Sequence, residues 1–108
     1  MDYYGIHAEL KKQLEAMTEL PVMDAGISYE WDTFVSFYDA ESRIFYWRND
    51  GGCSCNYFWD FVTSLSEFEN GRKEDLLRAA AAWKSDLYNE LEDADYQRFV
   101  KAVRAIKA

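Results

Sequence analysis

Residues 27–38, ISYEWDTFVSFY, run into DAES at 39–42 and then RIFYWR at 43–48. The first segment alternates. Tyr29, Trp31, Thr33, Val35 and Phe37 share one parity, and Ser28, Glu30, Asp32, Phe34, Ser36 and Tyr38 share the other. Successive strand residues point to opposite faces, so the first set is expected on a core and most of the second in solvent. The short polar DAES segment fits a turn, and Arg43–Arg48 reads as the returning strand of an antiparallel hairpin.

Helices are expected on both sides of this hairpin in sequence. Ile6, Leu10, Leu14 and Met17 fall at helical spacing and predict an amphipathic helix that Leu20-Pro21 ends. From Arg72 to Leu91 an apolar stripe of Leu76, Ala80, Trp83, Leu87 and Leu91, with Leu77 and Tyr88 beside it, predicts a second helix. Glu74 and Asp75 suit its positive end. Asp93-Ala94-Asp95 then caps a last helix with Tyr96, Phe99, Val100, Val103 and Ile106 on its apolar face. Tyr57–Val62 reads as a third short strand or a packed loop, and the capping-box spacing of Ser64 and Glu67 predicts a helical turn at Leu65–Glu69.

The expected fold is therefore a single α+β domain. An N-terminal helix and an antiparallel hairpin pack against two C-terminal helices, with helices layered over one face of a small sheet. A parallel βαβ fold fails because no helix separates the strands. The 108 residues are one domain's length. Aromatics make up 18% of them, roughly twice the ordinary ~8–9%, and large rings let a small chain build a core without disulfides or metals.

The formal net charge is −8. A chain this acidic is repelled by nucleic acid and by anionic membrane faces, so neither is expected as a direct partner. The excess sits in two blocks. Between Lys12 and Arg43 stand Glu15, Glu19, Asp24, Glu30, Asp32, Asp39 and Glu41 with no base among them. Between Asp86 and Asp95 stand Asp86, Glu90, Glu92, Asp93 and Asp95. Solvated acid blocks ordinarily serve solubility. A sharper expectation is that Glu30, Asp32, Asp39 and Glu41 on the hairpin's outer face, with Glu90, Glu92, Asp93 and Asp95 at the helix junction, meet a basic surface on a partner protein, such as a nucleic-acid-binding groove.

Gly51-Gly52-Cys53-Ser54-Cys55 is the most distinctive segment. Asn49-Asp50-Gly51-Gly52 reads as a tight turn needing positive φ. A disulfide between cysteines two positions apart would be badly strained, since the bond needs near-ideal Cβ separation, and one pair plus His7 falls short of a closed zinc site. The neighbouring charges, Asp50 and Asp60, disfavour a reactive thiolate. Cys53 and Cys55 are thus expected to pack as small apolar groups beside Tyr57, Phe58 and Trp59. No metal or other cofactor is expected.

The string Asp50-Gly-Gly-Cys-Ser-Cys-Asn56, followed by Phe58-Trp59-Asp60-Phe61 and Val62-Thr-Ser-Leu65, resembles a motif in small uncharacterised proteins of actinobacterial phages (the mycobacteriophage type). In those, an aromatic strand runs into Asp-Ser-Gly-Cys-Ser-Cys, then an aromatic-acidic segment and Thr-Ser-Leu. The resemblance covers residues 43–70 well and extends loosely to the helix from Arg72. Gly51 stands where Ser is usual, and Asn56 where Pro is common. The resemblance implies a phage origin, with action in the host cytoplasm, and a small α+β fold. It carries no catalytic residues to transfer.

Other chemistry is thinly represented. His7 is the only histidine, and there is no P-loop, dinucleotide fingerprint, HExxH or nucleophile elbow. The N-terminus lacks the basic and apolar regions of a signal peptide, and no apolar run suits a membrane span. The expectation is a cytoplasmic accessory protein that is not an enzyme and works by binding and modulating a host or phage protein. The alternatives are a self-assembling domain that pairs with a second copy, and a metal or redox module built on the cysteines. Tyr29, Trp31, Trp47 and Trp59 serve either the core or an aromatic recognition patch.

Overall fold

The structure is a computed structural model that describes residues 2–26, 29–87 and 91–108. The hairpin is its spine. Counting the strands in chain order, β3 (Glu30–Asp39) pairs antiparallel with β4 (Ile44–Cys53), from Asp39 opposite Ile44 to Glu30 opposite Cys53. Two short strands, β1 (Thr18–Glu19) and β2 (Met23–Asp24), share the outer edge of β3, and β5 (Glu69–Gly71) pairs with β4 at Phe45–Trp47. The helices are α1 (Ala8–Glu15), α2 (Lys73–Ser85) and α3 (Asp93–Ala105). Helices and an antiparallel sheet in one mixed α+β fold agree with the expected class; the layout differs.

The main difference is that the hairpin has no solvent face along its middle. Residues 33–38 are all buried. On one side Phe34, Tyr38, Phe45 and Trp47 pack against Leu76, Ala80 and Trp83 of α2 and Phe99, Val100 and Val103 of α3. On the other, Val35 and Phe37 pack against Leu10 and Leu14 of α1 and against Phe58, Trp59, Val62 and Phe68. The sheet is thus the middle of three layers. A strand covered on both faces reads as a near-continuous apolar run, and Phe34 and Tyr38 were the signs of this in the set assigned to solvent.

Several boundaries move for the same reason. The stripe from Ile6 to Met17 forms a helix only to Glu15, because the chain is drawn onto the sheet edge. There the Leu20 N–H donates to Ser36 O (3.0 Å) and the Ala25 N–H to Asp32 O (2.8 Å). Leu20 and Met23 are buried in the α2–α3 layer as a result. The third strand is not at Tyr57–Val62. Phe58–Phe61 is a 3-10 turn, fixed by Asp60 Oδ2 accepting from the Tyr57 N–H at 2.8 Å. The expected turn after Ser64 is a 3-10 turn at Leu65–Glu67, with Ser64 Oγ accepting from the Ser66 N–H. The second helix ends at Ser85 rather than Leu91, although Leu87 and Leu91 are buried; Tyr88 lies outside the described residues. Asp75 caps its start by accepting from the Arg72 N–H at 2.9 Å.

The hairpin loop contains one unfavourable residue. Arg43 has φ 61°, the left-handed region that costs an L-residue about 1 kcal/mol. Its N–H closes the loop onto Asp39 O at 2.8 Å, so the conformation is imposed by the loop. Arg43→Gly is expected to raise stability by about 0.5–1 kcal/mol, read as a higher urea midpoint at unchanged slope.

Candidate functional site

The open end of the hairpin is built around Trp31. In register it faces Gly52, where an added Cβ would come within 2.7 Å of the indole ring. Gly52 is therefore needed for the close approach of the indole. It is not at a positive φ: the Asn49–Gly52 segment is part of β4, and the expected tight turn there is corrected to strand. The turn comes one step later, where the Asn56 N–H donates to Cys53 O at 3.2 Å. The indole N–H of Trp31 pins it, donating to Cys53 O (2.9 Å) and to Asn56 O (3.2 Å). This turn brings the Cα atoms of Cys53 and Cys55 to 5.4 Å, inside the range a disulfide spans, and the two sulfurs are bonded to each other. The reading of Cys53 and Cys55 as unpaired apolar groups is corrected accordingly; Cys55 is exposed.

Beside this turn opens a cleft of about 430 Å³. Its aromatic wall is Trp31, Tyr57, Phe58 and Trp59, with Tyr4 arriving from the N-terminal segment. The Tyr4 and Tyr57 rings lie 4.6 Å apart, and Trp31 and Phe58 lie 6.2 Å apart. Trp59 anchors the N-terminal segment: its indole N–H donates to Asp2 O at 3.0 Å and its ring meets Tyr3 at 5.5 Å. Tyr3 is tied in turn to Glu19. Burial first, then the Glu19 and Glu15 charges and a hydrogen bond to Glu19, push the phenol up to about 12.

Two carboxylates face the same cleft, Asp2 and Asp24, and among the described residues no Lys or Arg lines it. Each uses Oδ1 to hold a local turn: Asp2 accepts from the Tyr4 N–H (3.0 Å) and Asp24 from the Gly26 N–H (3.1 Å). The wall is unusually open for aromatic surface. Tyr4 is 63% exposed and Tyr57 52%, with Val22 beside them at 37%. Phe61, 45% exposed, lies 6.4 Å from Trp31.

Among the described residues, the predicted acids lie at both ends of the hairpin and at the start of α3. Asp32 is structural, accepting from the indole N–H of Trp83 at 2.9 Å. Asp39 holds the hairpin loop, accepting from the Glu41 N–H (3.1 Å) and the Ser42 hydroxyl (2.7 Å). Glu30 and Glu41 are exposed, but a ten-residue strand of about 30 Å separates the hairpin's two ends in a molecule whose longest extent is 39 Å. Glu92 and Asp93 are exposed, and Asp95 pairs with Arg98 at 2.8 Å. Glu90 lies outside the described residues. The Trp83–Asp32 bond does bring the end of α2 to the Glu30–Asp32 end of the hairpin, so part of each block meets there. Gly51 is an exposed strand residue opposite Asp32.

Of the aromatic candidates, Trp31 and Trp59 line the cleft. Trp47 is buried and donates to Glu69 Oε2 at 2.9 Å, and Tyr29 is 78% exposed. Asp2, Tyr4, Val22 and Tyr57 are members that sequence reasoning missed. His7 is an exposed residue just before α1. Among the described residues, no helix is long and apolar enough to cross a membrane.

One acid outside the cleft has a displaced pKa. The Glu67 carboxylate accepts from the Thr63 N–H (2.6 Å) and the Ser64 N–H (3.1 Å), and these bonds hold its pKa below the ordinary glutamate value. A folded pKa depressed in this way contributes stability at pH values above the unfolded pKa. That contribution is lost as pH falls through the lower folded value. Glu67→Gln is expected to lower Tm at neutral pH and to flatten the acid limb of the Tm–pH curve below about pH 4.3.

No curated protein and no solved structure matches the chain. A family model matches residues 6–107, nearly the full length, and the chain belongs to that family, the domain of unknown function DUF7574.

Proposed function

We propose that the protein is a small accessory domain that acts by binding, and that it modulates a partner protein by covering a basic surface on it. The observation that supports this most is the cleft. Open aromatic rings and two carboxylates share it, with no Lys or Arg in its lining among the described residues. The net charge of −8 favours encounter with a positively charged partner and disfavours nucleic acid. The Cys-Ser-Cys loop, through its resemblance to phage proteins, supports a phage-encoded regulator acting on a host or phage protein in the host cytoplasm. Nothing in this reading needs a catalytic residue.

The test is capture on the immobilised protein at low and high salt. A partner retained at low salt and released as the Debye length shortens to about 3 Å near 1 M salt is the expected result. Retention of no protein at any salt would overturn the reading. A tight homodimer by light scattering, with no foreign partner captured, would replace it with self-assembly.

A further inference from the structure

We infer that the cleft receives an arginine side chain of the partner protein, held flat against the aromatic wall and hydrogen-bonded to Asp2 and Asp24. This rests on the binding reading above and specifies its site. The lining carries two carboxylates and several π faces beside neutral hydroxyl and amide groups, and among the described residues no Lys or Arg. The Oδ2 atoms of Asp2 and Asp24 have no hydrogen-bond donor among the described residues, since only Oδ1 is engaged in each turn. Asn56 also lines the cleft, but its Oδ1 is buried against Gly52 and is not among the acceptors open to a ligand. Tyr4, Tyr57 and Trp31 add ring faces that attract a cation.

A ligand complementary to this set must be cationic, rich in donors and partly apolar. A guanidinium meets all three demands. It is planar, stacks on aromatic faces, and has five donors in a fork that suits carboxylates. An ammonium is a compact, strongly hydrated charge that stacks poorly, and a neutral apolar side chain would leave the carboxylates without partners. The cleft is also preorganised. The Asx turns fix Asp2 and Asp24, the Trp59 bond holds the N-terminal segment, and the Trp31 bonds hold the turn that carries Asn56. Rigid placement reduces the ordering cost of binding.

The probe is acetyl-Gly-Arg-Gly-amide, with its lysine and citrulline counterparts, titrated into the whole protein by NMR. The readouts are the indole N–H signals of Trp31 and Trp59 and the Tyr4 and Tyr57 ring signals. Citrulline keeps the shape and most donors of arginine and removes the charge. Saturable shifts with the arginine peptide, at least about 5-fold weaker with lysine and weaker still with citrulline, are expected. The Asp2→Asn/Asp24→Asn double variant keeps the Oδ1 atoms that hold the turns. It should bind the arginine peptide about 10-fold more weakly at unchanged Tm, and Tyr57→Ala should also weaken it. Equal shifts with arginine and citrulline, equal binding of lysine, shifts away from the cleft, or no shifts at millimolar peptide would overturn the inference. If a captured partner is held as tightly by the double variant and by Tyr57→Ala, the binding reading stands and this site assignment falls. If no partner is captured by the wild type, the binding reading itself falls.

Discussion

Truncating Phe34 to alanine and truncating Phe37 to alanine are each expected to cost about 3–5 kcal/mol, measured by urea unfolding. The two side chains leave opposite faces of β3, and each is shut off from solvent. Phe34 sits 5.4 Å from the Trp83 ring and 5.8 Å from Phe99, in the layer of α2 and α3. Phe37 sits 6.3 Å from Phe68, in the layer of α1. A hairpin with one face in water would give a large loss for one substitution and a change within about 0.5 kcal/mol for the other. Comparable losses at both positions are the signature of a sheet sandwiched between two layers. Against a total stability of about 5–15 kcal/mol, either loss leaves the domain marginal.

The second large effect is expected at Trp59. It is 2% exposed and meets Tyr3, Phe58 and Phe68 through its rings, so Trp59→Ala should also cost about 3–5 kcal/mol. Trp59→Phe separates packing from anchoring. It keeps a ring in the core and removes the donor to Asp2 O, for about 1 kcal/mol in stability. The segment carrying Asp2 and Tyr4 then loses its hydrogen-bonded tether. The expected result is a folded protein with sharper, averaged Tyr4 ring signals in the NMR spectrum and weaker retention of the partner. Unchanged Tyr4 signals would show that the Tyr3 contacts alone hold the segment.

The parts of this fold legible in the sequence are those set by local pattern. The β3–β4 hairpin, the starts of α2 and α3 and the Ser64 turn all follow from short-range periodicity and capping. What the pattern hid is what long-range packing decides. The alternation in residues 27–38 suggested a solvent face, yet Phe34 and Tyr38 lie under two helices contributed from beyond residue 72. The stripe that ran on past Glu15 as a helix gives way to β1, where Thr18 and Glu19 pair with Tyr38 and Phe37 of β3.

The candidate site was harder still. Trp31 and Trp59 stood out as aromatic residues, but the cleft needs Asp2 and Tyr4, which join it through a bond between residues 57 positions apart. The acids that cluster in sequence lie at both ends of the hairpin, and part of each block meets at the Trp83–Asp32 bond. Asp32 Oδ1 holds Trp83, and both Asp39 oxygens hold the hairpin loop. The alkyl-like role expected of the cysteines failed because a single backbone bond, Asn56 to Cys53, folds the chain back within four residues. Spacing in sequence alone could not convey that.

The most direct test of the account is the hydrogen-exchange footprint of the protein in complex with its captured partner. Added protection is expected in the N-terminal segment around Tyr4, at residues 22–24 and at residues 54–58, with the Asp39–Glu41 loop and α3 unchanged. Protection confined to the Asp39–Glu41 loop or to α3, with the three cleft segments exchanging as in the free protein, would contradict it.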